Sequence, residues 1–172
     1  MNYLDYAATT PVNAEVLEVI TKEMASFGNP SSVYRIGREQ KQKIERVKKA
    51  ILSELQASPH DAIIFTSSGS EGNNLVFESI REHFANEKGH IIVSAVEHPS
   101  VRKSAEFLEQ EGFDVTYLAP NKDGIVTVSE IEQALREDTR LVSVMTVNNE
   151  TGARFPIEEI AALLKDKPTY FH

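Results

Sequence analysis

The chain contains no cysteine, which removes disulfides, zinc–thiolate sites and any cysteine nucleophile from its own chemistry. It has no apolar run approaching the roughly 18 residues of a membrane span. Its start, MNYLDYAATTPV, lacks the basic and apolar stretches of a signal peptide. A soluble, cytoplasmic protein with no membrane partner is the expectation. A surplus of positive charge is missing as well: 18 Lys and Arg face 26 Asp and Glu, a formal charge of −8. That balance argues against nucleic acid as a general partner. Repeats and low-complexity tracts are absent. His60, His83 and His90 fall near turns or helix ends and read as surface residues, and no pair has the HxxxH or HExxH spacing of a metal site.

What is present is one alternating pattern. The 172 residues, 41% of them hydrophobic, suffice for one domain with a core or for part of a larger one. After an N-terminal arm (1–13), residues 14–26 carry apolar side chains at helical spacing and FGNPSS (27–32) reads as a loop. A long helix is predicted over 37–56, its charge run a solvated face, with ASPHD (57–61) ending it.

Strands and helices then alternate. Strands are predicted at 62–67, 90–96, 113–119, 140–147 and 169–172, with helices at 71–85, 99–111, 157–165 and from a Ser129 cap, paired with Glu132, to about Arg136. This order predicts an α/β fold, a mainly parallel sheet with helices on both faces. Ligands of such sheets sit beyond the carboxyl ends of the strands. The segments to weigh are therefore SSGSEGNN, EHPS, APNKDG and NNETG.

In TSSGSEGNN (66–74) small residues permit a tight strand-to-helix turn, and a helix N-terminus offers unpaired N–H groups to an anion. Gly69 and Ser70 are candidate phosphate holders; the plain alternative is a helix start with Ser70 as its N-cap. The segment matches neither GxGxxG nor GxxxxGK[ST], which disfavours dinucleotide and nucleoside-triphosphate sites. In EHPS, Pro99 biases His98 away from helical geometry at a strand end. There its imidazole could stack on a flat ring and move protons near neutral pH, or be merely structural. In NNETG the amides of Asn148 and Asn149 could meet a ligand, or simply form a turn.

Taken together, YLDYAATTP (3–11), FGNPSS (27–32), the GSEGNN run, EHPS and VMTVNNETG (144–152) resemble the cysteine desulfurases of the class V aminotransferase group. The resemblance implies part of the large domain of a fold-type I enzyme over residues 14–172, with pyridoxal 5′-phosphate as cofactor. It implies that Gly69 and Ser70 hold the phosphate, that His98 stacks on the ring and carries protons, and that Asn149 lies near the phenolic oxygen. The implied reaction takes sulfur from L-cysteine, leaving L-alanine and an enzyme persulfide. Implied partners are a second copy in a homodimer and a sulfur-acceptor or iron–sulfur scaffold protein.

The family's Schiff-base lysine, ring-nitrogen carboxylate and persulfide cysteine all lie downstream of the strand that ends at His172. The expectation is a domain truncated there, inactive alone. Tyr34 stands where relatives usually have histidine, Gly72 where they have Ala or Ser, and Thr146 where a histidine precedes the asparagines. A selenocysteine lyase or aminotransferase on the same scaffold, or a binding module that has lost the chemistry, are the competing readings.

Overall fold

The computed structural model describes residues 2–58 and 60–172; Met1 of the N-terminal arm and Pro59 of the ASPHD segment lie outside them. The chain divides into two compact units, residues 1–65 and 66–172.

The first unit holds two helices. Helix α1 (Ala14–Met24) is capped by Asn13, whose side chain accepts the Glu15 N–H at 2.8 Å. Helix α2 (Arg35–Glu54) buries only Gly37. A Cβ at Gly37 would lie 2.6 Å from the carbonyl oxygens of Asn29 and Ser32, so the FGNPSS loop can lie against α2 only because that side chain is absent. Lys43 binds Glu23 at 2.6 Å and donates to Ser26 Oγ at 3.0 Å, tying α2 to the end of α1. No residue of α1 is buried.

The run AIIFTS (62–67) was a predicted strand and is not one. Ile64 is 72% and Phe65 55% exposed, and no described strand lies beside them. A β-strand is made by its neighbour's hydrogen bonds, so hydrophobicity alone does not form one.

The second unit begins with α3 (Gly69–His83) and continues β1 (His90–Ser94), α4 (Pro99–Gln110), β2 (Asp114–Leu118), α5 (Val128–Ala134), β3 (Thr139–Ser143), α6 (Ile157–Leu164) and β4 (Tyr170–Phe171). Four parallel strands lie in the order β2-β1-β3-β4. Each face of the sheet has its own core. Ile91, Val93 and Leu141 pack with Phe77 and Ile80 of α3 and with Val101, Ala105 and Leu108 of α4. The alternate residues Ile92 and Val142 pack with Ile131 of α5 and with Ile160 and Leu164 of α6. The two-residue period of the strands thus sends neighbouring side chains into opposite cores, and the expected helices cover both faces.

Three details depart from expectation. Helix α5 is capped by Thr127 in a capping box with Glu130, two residues before the predicted Ser129–Glu132 pair. Strand β3 ends at Ser143, because the chain beyond folds back on itself: Phe155 N–H donates to Thr146 O at 3.0 Å, and Val147 bridges Arg154. His90 is wholly buried, although its place beside a turn suggested the surface. It starts the central strand, where its ring nitrogens meet Thr139 Oγ1 at 2.9 Å and Thr116 Oγ1 at 2.8 Å on the flanking strands.

Candidate functional site

Helix α3 opens with Ser68, whose extended backbone (φ −165°, ψ 165°) lets its Oγ accept the Glu71 N–H at 3.2 Å. The cap is therefore Ser68, and Ser70 already stands inside the helix. Glu71 turns back to Ser67, whose hydroxyl and then backbone N–H hold its carboxyl below the usual range. With those donors spent, the N–H groups of Gly69 and Ser70 and the Ser70 hydroxyl have no acceptor among the described residues. A Cβ at Gly69 would meet nothing within 4 Å. A bare N–H pair and a hydroxyl at the start of a 15-residue helix suit the oxygens of a phosphate.

His98 follows β1. Its backbone is extended (φ −55°, ψ 146°), as the following proline requires, and Pro99 opens α4. The ring itself caps that helix: Nδ1 accepts the Ser100 N–H at 3.1 Å and lies 2.8 Å from Ser100 Oγ. An accepting Nδ1 carries no proton, so the neutral ring holds its proton on Nε2. Ser100 Oγ also accepts from Asn73 Nδ2 at 2.8 Å, which joins the start of α3 to the histidine.

Beside it, Glu97 is only 8% exposed and lacks a cationic partner among the described residues. Its Oε1 accepts the backbone N–H of Met145 at 2.7 Å. Burial pushes its carboxyl up to about 7, against the pull of that one N–H.

The NNETG asparagines divide their roles. Asn148 is buried, and its Oδ1 accepts from the N–H groups of Glu150 and Thr151 at 3.0 and 2.9 Å, so it forms the turn that Gly152 completes with φ +73°. Its Nδ2 donates to Val96 O at 3.1 Å. Asn149 is exposed, with Nδ2 donating to Glu150 Oε1 at 2.7 Å.

His98, Asn149, Asn73, Glu97 and His172 line one cleft of about 370 Å³ beyond β1 and β3. His172 Nδ1 lies 2.9 Å from Ser143 Oγ, and burial holds its imidazole below its ordinary value. Of the four sequence candidates, His98 and Asn149 share this cleft. Gly69 and Ser70 lie outside its lining, one turn before Asn73 on α3. Glu97, Asn73 and His172 were not singled out from sequence. Only the position of Glu97 at a strand exit could have flagged it, since burial is what makes that carboxyl unusual. Among the described residues, no group of three or more His, Asp or Glu could hold a metal ion, and no helix is long and apolar enough to cross a membrane.

The family model described as "Aminotransferase class-V" matches residues 2–172. The cysteine desulfurase IscS of Dictyoglomus turgidum is 42% identical over 171 residues, 99% of this chain and 43% of the relative. The cysteine desulfurase IscS of Methanosarcina thermophila is 44% identical over 173 residues, 99% of this chain and 42% of that protein. A solved structure of SspA in complex with cysteine superposes with a TM-score of 0.94 at 38% identity, over all of this chain and 50% of that one. The chain therefore spans less than half the length of these curated relatives.

Proposed function

Because the chain belongs to the class-V aminotransferase family, whose members use pyridoxal phosphate, we propose that it forms the phosphate- and ring-holding part of a cysteine desulfurase. The observation that carries this reading is the single cleft shared by His98 and Asn149, two residues brought together from different strand exits. When bound, pyridoxal phosphate supplies an electron sink for bonds broken at the amino acid.

The chain's own residues do the holding. The free N–H groups of Gly69 and Ser70, with the Ser70 hydroxyl, bind the phosphate. His98 covers a ring face; with Nδ1 engaged by Ser100, Nε2 is the atom that holds or moves a proton. Asn149 donates to the cofactor's ring oxygen, leaving its contact with Glu150 to do so. The proposed substrate of the whole protein is L-cysteine, the proposed assembly a cytoplasmic homodimer, and the proposed partner a sulfur-accepting or iron–sulfur scaffold protein. The 172 residues alone contain no cysteine to carry sulfur and do not turn cysteine over.

The test is a titration of the isotope-labelled chain with pyridoxamine 5′-phosphate, which lacks the aldehyde that would react with surface lysines. Shifts centred on the Gly69 and Ser70 amides, the His98 ring and the Asn149 side chain are expected, weakened by Ser70→Ala. Shifts confined to other surfaces, or none, would overturn the reading. Sustained sulfide release from this chain with pyridoxal phosphate and cysteine would overturn its inactivity.

A further inference from the structure

The two residues that immediately precede His98 and Asn149 each reach across to the other's strand exit. From the end of β1, Glu97 Oε1 accepts the Met145 N–H at 2.7 Å. From beyond β3, Asn148 Nδ2 donates to Val96 O at 3.1 Å. Both side chains are 8% exposed. The ties run in opposite directions, side chain to backbone each time, and they bracket the segments that carry the two cleft residues.

The sheet does not otherwise hold these segments together. Paired residues of β1 and β3 end at Val93 and Ser143. Beyond that, β1 turns into α4 through the Glu97 N–H to Ser94 O bond of 3.3 Å, while the β3 exit folds into its own hairpin, with Asn148 N–H donating to Ala153 O at 2.9 Å. Val96, Val144 and Met145 share the apolar core on that face, and among the described residues the two side chains supply the hydrogen bonds that cross between the exits.

We infer that Glu97 and Asn148 are positioning residues, a reciprocal clamp between the exits of β1 and β3 that sets the separation of His98 and Asn149 across the cleft. Neither need touch a ligand. Glu97 is suited to this because a carboxyl oxygen accepts from a backbone N–H whether or not the group is ionised, and Asn148 because one amide both accepts within its turn and donates across the gap. The consequence for cofactor binding rests on the function proposed above; the clamp itself does not.

The experiment separates acceptor, donor and volume. Glu97→Gln keeps an oxygen for Met145, Glu97→Met fills similar space without one, and Asn148→Asp keeps the acceptor of the turn but removes the donor to Val96. In amide hydrogen exchange on the 172-residue chain, Met145 should exchange at least tenfold faster in Glu97→Met and within about threefold of the parent in Glu97→Gln. The His98 ring and Asn149 side-chain resonances should shift in Glu97→Met and in Asn148→Asp.

A turn-forming role for Asn148 alone predicts an unmoved His98 in Asn148→Asp, and that result overturns the clamp. So does Met145 protection that survives in Glu97→Met. Should Glu97→Met not fold, Glu97→Gln and Asn148→Asp still decide: lost Met145 protection in the first or an unmoved His98 in the second is fatal to the clamp. Pyridoxamine 5′-phosphate distinguishes the two proposals. A chain that ignores it yet shows the exchange pattern keeps the clamp and loses the function. A chain whose variants all bind it like the parent, with Met145 still protected, keeps the function and loses the clamp.

Discussion

The Nδ1 of His98 accepts the backbone N–H of Ser100 at 3.1 Å, so the residue that faces the cleft is also the cap of α4. One side chain thus serves the fold and the candidate site, and a substitution there has two effects that can be separated. His98→Ala should lose about 1 kcal/mol of stability with the cap. His98→Asn, whose carbonyl oxygen can cap in its place, should recover most of that loss while leaving pyridoxamine 5′-phosphate binding weakened. Urea unfolding of the two variants beside ligand titration checks this. In the parent, nitrogen-15 shifts should report that the neutral ring carries its proton on Nε2, since Nδ1 accepts the Ser100 N–H.

Glu97 makes stability fall as pH rises. Its folded carboxyl, pushed up to about 7 by burial, keeps a proton that the unfolded chain releases near 4.5. Between these values the unfolded state binds fewer protons, so the contribution is whole below about pH 4.5 and is lost progressively up to about pH 7. Glu97→Gln, which cannot ionise, should therefore gain on the parent by up to roughly 3 kcal/mol at pH 8 and by little at pH 4. A difference between the two urea midpoints that stays flat with pH would refute the assignment.

His90 acts in the opposite sense. Burial, with Arg136 nearby, holds its imidazole below the ordinary value, so it stays neutral in the fold while the unfolded chain takes up a proton as pH falls. Its contribution is complete above about pH 6.5 and declines below, because there the unfolded state binds more protons. His172 is lowered by burial in the same direction. Proton titration followed at each ring should therefore show both histidines taking up their protons at lower pH than an ordinary imidazole.

Gly72 stands inside α3, where a Cβ would meet only Thr66 Oγ1 at 3.7 Å, an ordinary contact. No positive φ requires glycine there. Gly72→Ala should raise stability by about 0.5–1 kcal/mol through helix propensity, leaving the α3 start intact. Thermal unfolding of the variant checks the sign.

Most of the second unit was legible in the chain because its elements repeat at short range. The helical spacing of α3 and α4 and the apolar runs of β1 and β2 lie within one or two residues of where the elements form. Proline and glycine marked the turns, so the strand exits carrying His98 and Asn149 were found as well. Residues 62–67 show where this stops: Ile64 and Phe65 have a strand's composition, yet no described strand lies beside them.

The sequence by itself determined the alternation of strand and helix over residues 90–172, the glycine and serine at the start of α3, and the place of EHPS just beyond β1. These depend on period, turn chemistry and side-chain type, all local properties. Only the tertiary structure decided that His90 is enclosed between two threonines, that Ser68 rather than Ser70 caps α3, and that Glu97 is a buried carboxyl reaching Met145, 48 residues away. The physical reason is that burial and long-range hydrogen bonds are made by the neighbours that the parallel register supplies, and a residue's own segment does not name them.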